Sequence, residues 1–100
     1  MANLAKKLAR GSITASEVIQ YTVPTSTTTV VTNIVITNTT AAAISATVKL
    51  ADVDVVSSAP VNANGILAID LKQVLNATET ISALASTTGL RLHVSGMEIA

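Results

Sequence analysis

Residues 44–50 contain the clearest amphipathic strand of the chain: Ile44-Ser45-Ala46-Thr47-Val48-Lys49-Leu50. Apolar and polar side chains alternate along it, and successive side chains of a strand point to opposite faces of a sheet. The stretch therefore predicts a strand with one buried face. The alternation continues through Val53 and Val55, with Asp52 and Asp54 on the polar side, so we expect the strand to run on past Leu50.

The same period of two recurs on both sides of this stretch. Tight-turn signals at Asn64-Gly65 and Thr87-Thr88-Gly89 separate the segments, and Gly96 is a candidate bulge. The pattern predicts six to eight strands and an all-β, antiparallel β-sandwich of jelly-roll or immunoglobulin-like type. The alternating apolar positions are Ile19, Tyr21 and Val23; Val30, Ile34 and Ile36; Leu67, Ile69 and Leu71; Ile81, Ala83 and Ala85; and Leu90, Leu92 and Val94, the last three with Arg91 and His93 outward.

The composition favours strands but supplies only small core side chains. Val, Ile and Thr account for 36 of the 100 residues, while Tyr21 is the single aromatic. β-Branched residues favour strands, and small side chains each bury little area. Small domains with thin cores often rely on a partner subunit. We therefore expect this chain to form a homo-oligomer.

Several function classes are excluded by the residue inventory. The chain has no Cys, one His and six acidic residues, which is too few for most catalytic constellations and rules out cysteine-ligated metals. The net charge of zero disfavours a nucleic-acid surface. Residues 18–48 carry no charge but ten Thr, so no window suits a membrane span, and no signal peptide is evident. We expect a non-enzymatic chain made in the cytoplasm, with no cofactor, metal, nucleic-acid or membrane partner.

Two groups of polar residues are candidates for a metal or catalytic site. Asp52 and Asp54, two apart in a strand, would face the same way and could ligate a hard cation, but no Gly-rich acidic loop follows them. A solvated strand face or a subunit salt bridge is the favoured interpretation. His93 lacks a second His, and no Ser stands in a nucleophile-elbow context. A surface or inter-subunit hydrogen bond is favoured there.

The first residues differ from the rest of the chain. Lys6, Lys7 and Arg10 give this segment a charge of +3, and the other 90 residues carry −3. Leu4 and Leu8 form a narrow apolar stripe at helical spacing. We therefore divide the chain into a basic N-terminal arm, residues 1–11, and a β-sandwich domain, residues 12–100. The arm is either a solvated terminus or an adhesive arm on a neighbouring subunit, with Leu4, Lys6, Lys7, Leu8 and Arg10 as the interface residues.

No Lys stands between Glu17 and Lys49 to protect an exposed strand edge. We expect the edges of these Thr-rich strands to be covered by partners, which is a further argument for assembly.

The order of segments resembles a known class of proteins. A charged arm precedes Tyr21-Thr22-Val23-Pro24 and a Thr run, and then come residues 31–40, a small-residue strand ending Thr47-Val48-Lys49-Leu50, residues 75–81, and the closing Leu92-His93-Val94-Ser95-Gly96-Met97-Glu98-Ile99. Over residues 11–100 this resembles small β-sandwich virion structural proteins of tailed bacteriophages. The resemblance implies capsid decoration or cementing, contacts with the major capsid or other virion proteins, a location in the virion, and assembly commonly as trimers or other symmetric oligomers.

A second function class remains open. The same features fit a head, collar or tail fibre-base or adhesin module that binds a host receptor or carbohydrate. Sugar sites usually use aromatic platforms, and Tyr21 is the one candidate.

Overall fold

The computed structural model of the chain describes residues 3–100, which form eight strands and no helix. Within that range no helix is long and apolar enough to cross a membrane. The strands are β1 (Asn3–Ile13), β2 (Val18–Thr22), β3 (Thr28–Asn38), β4 (Ile44–Leu50), β5 (Val53–Val61), β6 (Ile66–Leu75), β7 (Thr80–Ala85) and β8 (Leu90–Ile99).

The eight strands form two four-stranded antiparallel sheets. Sheet A has the order β1-β8-β3-β6, and sheet B has the order β2-β7-β4-β5. The first strand pairs with the last, the second with the seventh, the third with the sixth and the fourth with the fifth, so the chain is one long ribbon of nested pairs. Additional ladders between β3 and β8 and between β4 and β7 wrap this ribbon into two layers. This is a jelly roll, because an immunoglobulin sandwich has a different strand count and order. The predicted all-β sandwich is confirmed.

The core lies between the sheets and is built almost wholly from Ile, Leu, Val and Ala. β4 alternates strictly between buried and half-buried residues, as its sequence predicts. β8 buries Leu90, Leu92 and Val94 and turns Arg91 and His93 outward, again as predicted. Tyr21 packs against this core only in part.

The predicted continuation of β4 past Leu50 is wrong. Ala51 and Asp52 both have positive φ, 52° and 64°, and the chain reverses there. Two consecutive left-handed residues give a hairpin turn whose twist suits antiparallel strands. A two-residue loop places its flanking residues, Leu50 and Val53, opposite each other on the same face, so the apolar positions change there from even to odd numbers. The expectation of one continuous strand overlooked this change. Asp54 consequently lies across from Lys49 on the neighbouring strand.

The predicted division at residue 11 does not follow the structure, because β1 runs from Asn3 to Ile13 as the edge strand of sheet A. Residues 1 and 2 lie outside the described residues. The ladder with β8 pairs one edge of the β1 backbone. Its inward side chains Leu8, Ala9 and Ile13 are buried in the core. A two-turn helix would be marginal alone and would bury less.

The expectation of unprotected Thr-rich edges is wrong for the longest Thr-rich strand, β3, and for β4. β3 lies between β8 and β6, and β4 lies between β7 and β5, so both have paired edges on both sides. The short uncharged strand β2 is an edge of sheet B, where its ladder with β7 contains a register shift. The edge strands carry the usual protective features instead. β1 contributes lysines and a register shift, and β5 contributes Pro60 and two register shifts. Assembly therefore has to be argued from the faces of the sandwich.

Sheet A contains a row of irregularities at the level of Gly96. Register shifts occur between Lys7 and Ala9 on β1, and between Val31 and Asn33 on β3. β8 itself continues unshifted, so the candidate bulge at Gly96 is found on its neighbours. A Cβ at Gly96 would overlap the carbonyl oxygen of Val30 and lie 2.9 Å from Leu8 Cδ1. Glycine is required here by the close approach of β3 and β1.

Candidate assembly surfaces

An uninterrupted apolar row crosses the outer face of sheet A, which we call the A-face. In the strand register Ala5 lies beside Met97, Met97 beside Val30, and Val30 beside Val74. Val74 is 61% exposed, and Ala5 and Met97 are exposed as well. In a protein with a third layer packed on this sheet, such a row would be buried in the core. Here it faces outward across all four strands.

The A-face also carries a cluster of basic side chains. Arg10 on β1 lies beside His93 on β8, and Arg91 lies two pairs further along the same ladder, opposite Ser12. Lys7 faces outward beside Ser95. By alternation with the inward Leu71 and Leu75, Lys72 also belongs to this face. Among the described residues, the A-face therefore sets Lys7, Arg10, Lys72 and Arg91 against one acid, Asp70, a formal charge of +3.

The outer face of sheet B, the B-face, carries the opposite charge. The Lys49 ammonium lies 2.9 Å from Glu17 Oε1, and Asp54 lies across from it in the register. The hydrogen bond from Lys49 to Glu17 raises the pKa of the amine, and the nearby charges of Asp54 and Asp52 raise it further. Within the described range this surface has three acids against one lysine, a formal charge of −2. Ile19 adds an apolar side chain that is 60% exposed.

A polar cluster lies between the sheets next to the N-terminal strand. Glu98 is 8% exposed, and its Oε1 lies 3.1 Å from the Lys6 ammonium. Its Oε2 accepts a hydrogen bond from the Tyr21 hydroxyl, which also lies 2.9 Å from Thr29 Oγ1. The cluster joins β1, β2, β3 and β8 through side chains.

The two acids of this cluster have shifted pKa values. The hydrogen bond from Tyr21 lowers the pKa of Glu98, burial opposes this, and Lys6 lowers it further. Burial raises the pKa of Tyr21, and so does the neighbouring Glu98. The cluster therefore prefers an ionised carboxylate beside a neutral phenol.

The five predicted arm residues lie in different environments. Leu8 is buried in the core, and Lys6 turns inward to Glu98. Leu4 is exposed, while Lys7 and Arg10 lie on the A-face. Sequence reasoning missed the grouping of Lys7 and Arg10 with Arg91 and His93. This grouping depends on the pairing of the first strand with the last, which no local sequence pattern indicates.

Among the described residues, Asp52, Asp54 and His93 are not grouped into a metal-binding or catalytic site. Asp52 lies in the β4–β5 turn and Asp54 in β5. Within residues 3–100 no three His, Cys, Asp or Glu side chains are grouped as metal ligands. His93 has Arg10 and Val35 as its register neighbours rather than an acid that would orient its ring.

A surface cavity of about 450 Å³ adjoins the irregular part of β6, lined by Thr32, Asp70, Leu71 and Lys72. Asp70 Oδ1 accepts a hydrogen bond of 3.4 Å from Asn33. These lining side chains provide one acid, one amine and one hydroxyl without a nucleophile–base pair. The cavity is a recess beside the A-face, and its residues add no chemistry to that face beyond charge.

No family model and no curated protein matches this sequence. Among solved structures, the chain is similar to one of Bacillus endospore appendages, described as a novel family of disulfide-linked pili. That match has 9% identity and a TM-score of 0.46, and covers 99% of this chain and 88% of the other. It is also similar to an exo-β-1,3-galactanase from Phanerochaete chrysosporium with galactose, at 13% identity and a TM-score of 0.39. There it covers 97% of this chain and 29% of the galactanase. At these TM-scores the similarities say nothing of what this chain does.

Proposed function

We propose that this chain is a structural virion protein of a tailed bacteriophage that decorates or cements the capsid. The observation that carries the proposal is the pair of outer faces, of which one is apolar and basic and the other acidic. Exposed apolar patches that are rimmed by polar residues mark interaction sites. The apolar row across sheet A, with basic side chains beside it, is such a patch. The partners are copies of the chain and the major capsid or other virion proteins.

The architecture supports the proposal by analogy. Jelly rolls of eight strands are used by viral capsid and lectin domains. Fold analogy is weaker support than a site, because one fold serves many functions. It agrees with the resemblance of residues 11–100 to small virion proteins.

The mode of contact differs from the adhesive arm that the sequence favours. Since β1 is part of sheet A, its basic residues act from a rigid face. Each contact can be weak, because a shell presents many equivalent sites and the contacts add through multivalency. A trimer stays a prediction from the resemblance.

The test is binding to heads of the phage or prophage that encodes the chain, prepared without it. Purified protein is mixed with these heads, and the bound copies are counted after sedimentation through a cushion. We expect saturable binding at a fixed copy number per head. Absence of binding, together with absence of the protein from complete particles, would contradict the proposal. Deleting residues 1–10 is unsuitable as a variant, because it removes most of an integral strand.

A head, collar or tail fibre-base or adhesin module that binds a receptor or carbohydrate is the second candidate. The Tyr21 hydroxyl is already bound to Glu98 and Thr29, which leaves this aromatic poorly placed as a sugar platform. Immunogold labelling of particles separates the two candidates, since gold on tails or fibres instead of heads would favour the second. A glycan array on the purified chain then tests for sugar binding.

A further inference from the structure

We infer that the A-face of one copy binds the B-face of a second copy, so that the chain associates head to tail. The inference rests on the self-association part of the proposed function and does not require a capsid. Its basis is that the two outer faces of one molecule have complementary charge and that each exposes apolar side chains.

Charge complementarity selects this pairing over the alternatives. Two A-faces in contact would bring formal charges of +3 together, and two B-faces would bring −2 together. A contact between unlike faces places the basic cluster of Lys7, Arg10 and Arg91 against the acids Glu17 and Asp54. Juxtaposed like charges cost several kcal/mol at an interface, whereas complementary charges speed association and fix orientation.

Apolar contact is available on both sides of the same pairing. The A-face offers Met97, Val30 and Val74, and the B-face offers Ile19. The described residues place no side chain over these groups. Their burial would supply a favourable contribution that does not depend on salt.

The geometry of the sandwich determines whether such a contact gives an open row or a closed ring of copies. The A-face and the B-face are opposite sides of one two-layered molecule, so a contact between them is heterologous. Heterologous contacts on opposite sides repeat in one direction and give an open row of copies. A closed trimer would need contact surfaces inclined to each other around an axis.

The size of the faces predicts a weak contact. Four strands about 4.8 Å apart, at about 3.3 Å per residue, give the A-face, whose strands have 10 or 11 residues, roughly 600 Å², and the B-face, whose strands have 5 to 9 residues, roughly 400 Å². Stable interfaces bury about 800 Å² per partner. We therefore expect association that depends on protein concentration and weakens as salt rises, because exposed charges are screened.

Charge reversal on each face, followed by mixing, tests the inference. One variant carries Arg10→Glu with Arg91→Glu on the A-face, and the other carries Glu17→Lys with Asp54→Lys on the B-face. Sedimentation velocity over a range of concentrations measures association of each variant alone and of an equimolar mixture. We expect each variant alone to associate more than about tenfold more weakly than the wild type, and the mixture to recover association in alternating copies.

A matched control adds acid away from both faces. Ala63→Glu with Thr88→Glu places two acids in the β5–β6 and β7–β8 connections and should associate as the wild type does. Recovery by mixing also shows that both variants are folded. If a variant fails to fold, Arg10→Ser with Arg91→Ser replaces it on the A-face, and association should again weaken.

Three outcomes would overturn the inference. They are wild-type protein that stays monomeric at every concentration, folded variants that associate like the wild type, and weakened variants that mixing does not restore. A closed trimer of fixed mass would likewise exclude the open row. Head binding by a strictly monomeric chain would refute the inference while leaving the proposed function intact.

Discussion

At the scale of single residues, Glu98 is the polar side chain on which the junction of β1, β2, β3 and β8 depends. It is almost fully buried, yet it stays charged because Tyr21 donates to one oxygen and Lys6 lies beside the other. A buried carboxylate is tolerated only with such partners. The chain's one aromatic thus serves a polar cluster more than the apolar core.

Stability should fall in acid through this residue. The pKa of Glu98 is lowered from its ordinary value of 4.5, so its contribution to folding is complete above that value and is lost as the pH falls through the lower folded value. Differential scanning calorimetry between pH 6 and pH 2 measures the loss as a falling Tm. Glu98→Gln should flatten this dependence, while the exposed Asp52→Asn should keep the wild-type slope. An unchanged slope in Glu98→Gln would refute the role of the cluster.

Gly96 should tolerate no side chain. Gly96→Ala forces a methyl group against the Val30 carbonyl and Leu8, and overpacking of this kind costs about 1–3 kcal/mol. Gly11→Ala is the matched control, because a Cβ there meets nothing within 4 Å. Urea denaturation gives both free energies of unfolding. Equal stabilities for the two variants would show that the close approach at Gly96 is absent.

At the scale of elements, the sequence predicts the strands better than their boundaries. Alternation in β4, β7 and β8 predicts both the strands and their buried faces, because side-chain direction has a period of two. The reversal at Ala51 and Asp52 was missed although the sequence shows it, because the apolar positions change from even numbers up to Leu50 to odd numbers from Val53. β1 was missed because Leu4 and Leu8 also satisfy helical spacing, and pairing with β8, some 90 residues away in sequence, decides between the two.

The candidate surfaces were harder to predict than the strands, for a related reason. Each charged residue of the A-face is visible in the sequence, and Arg91 and His93 were correctly predicted to point outward. Their grouping with Lys7 and Arg10 follows only from the antiparallel register of the first and last strands. The long-range pairing of β1 with β8 therefore creates this basic cluster, and local sequence patterns do not predict it.

The two leucines of β1 distinguish an integral strand from a free arm. Leu8 is 7% exposed and Leu4 is 59% exposed. Leu8→Ala should cost about 2–5 kcal/mol through lost burial and a residual cavity. Leu4→Ala should change stability by less than about 0.5 kcal/mol. Chemical denaturation of the two variants is the measurement, and two small, equal effects would mean that residues 1–11 form a free arm.

At the scale of the whole molecule, the charge balance of zero conceals a separation of charge. Four of the six basic residues lie on the outer face of sheet A, while Glu17, Asp52 and Asp54 lie on or beside the outer face of sheet B. Of the strands with no charged residue, β3 and β7 occupy the middle of their sheets and β2 lies at an edge of sheet B. A molecule 46 Å long with two unlike, exposed faces is suited to contact neighbours on both sides.

Cryo-electron microscopy of particles from a phage or prophage whose genome contains this sequence tests the proposed virion role most directly. We predict density for an eight-stranded jelly roll on the head, repeated at regular positions, with its outer sheet faces in contact with neighbouring subunits. Particles that lack this density everywhere, or that carry the domain with both faces open to solvent, would contradict the account.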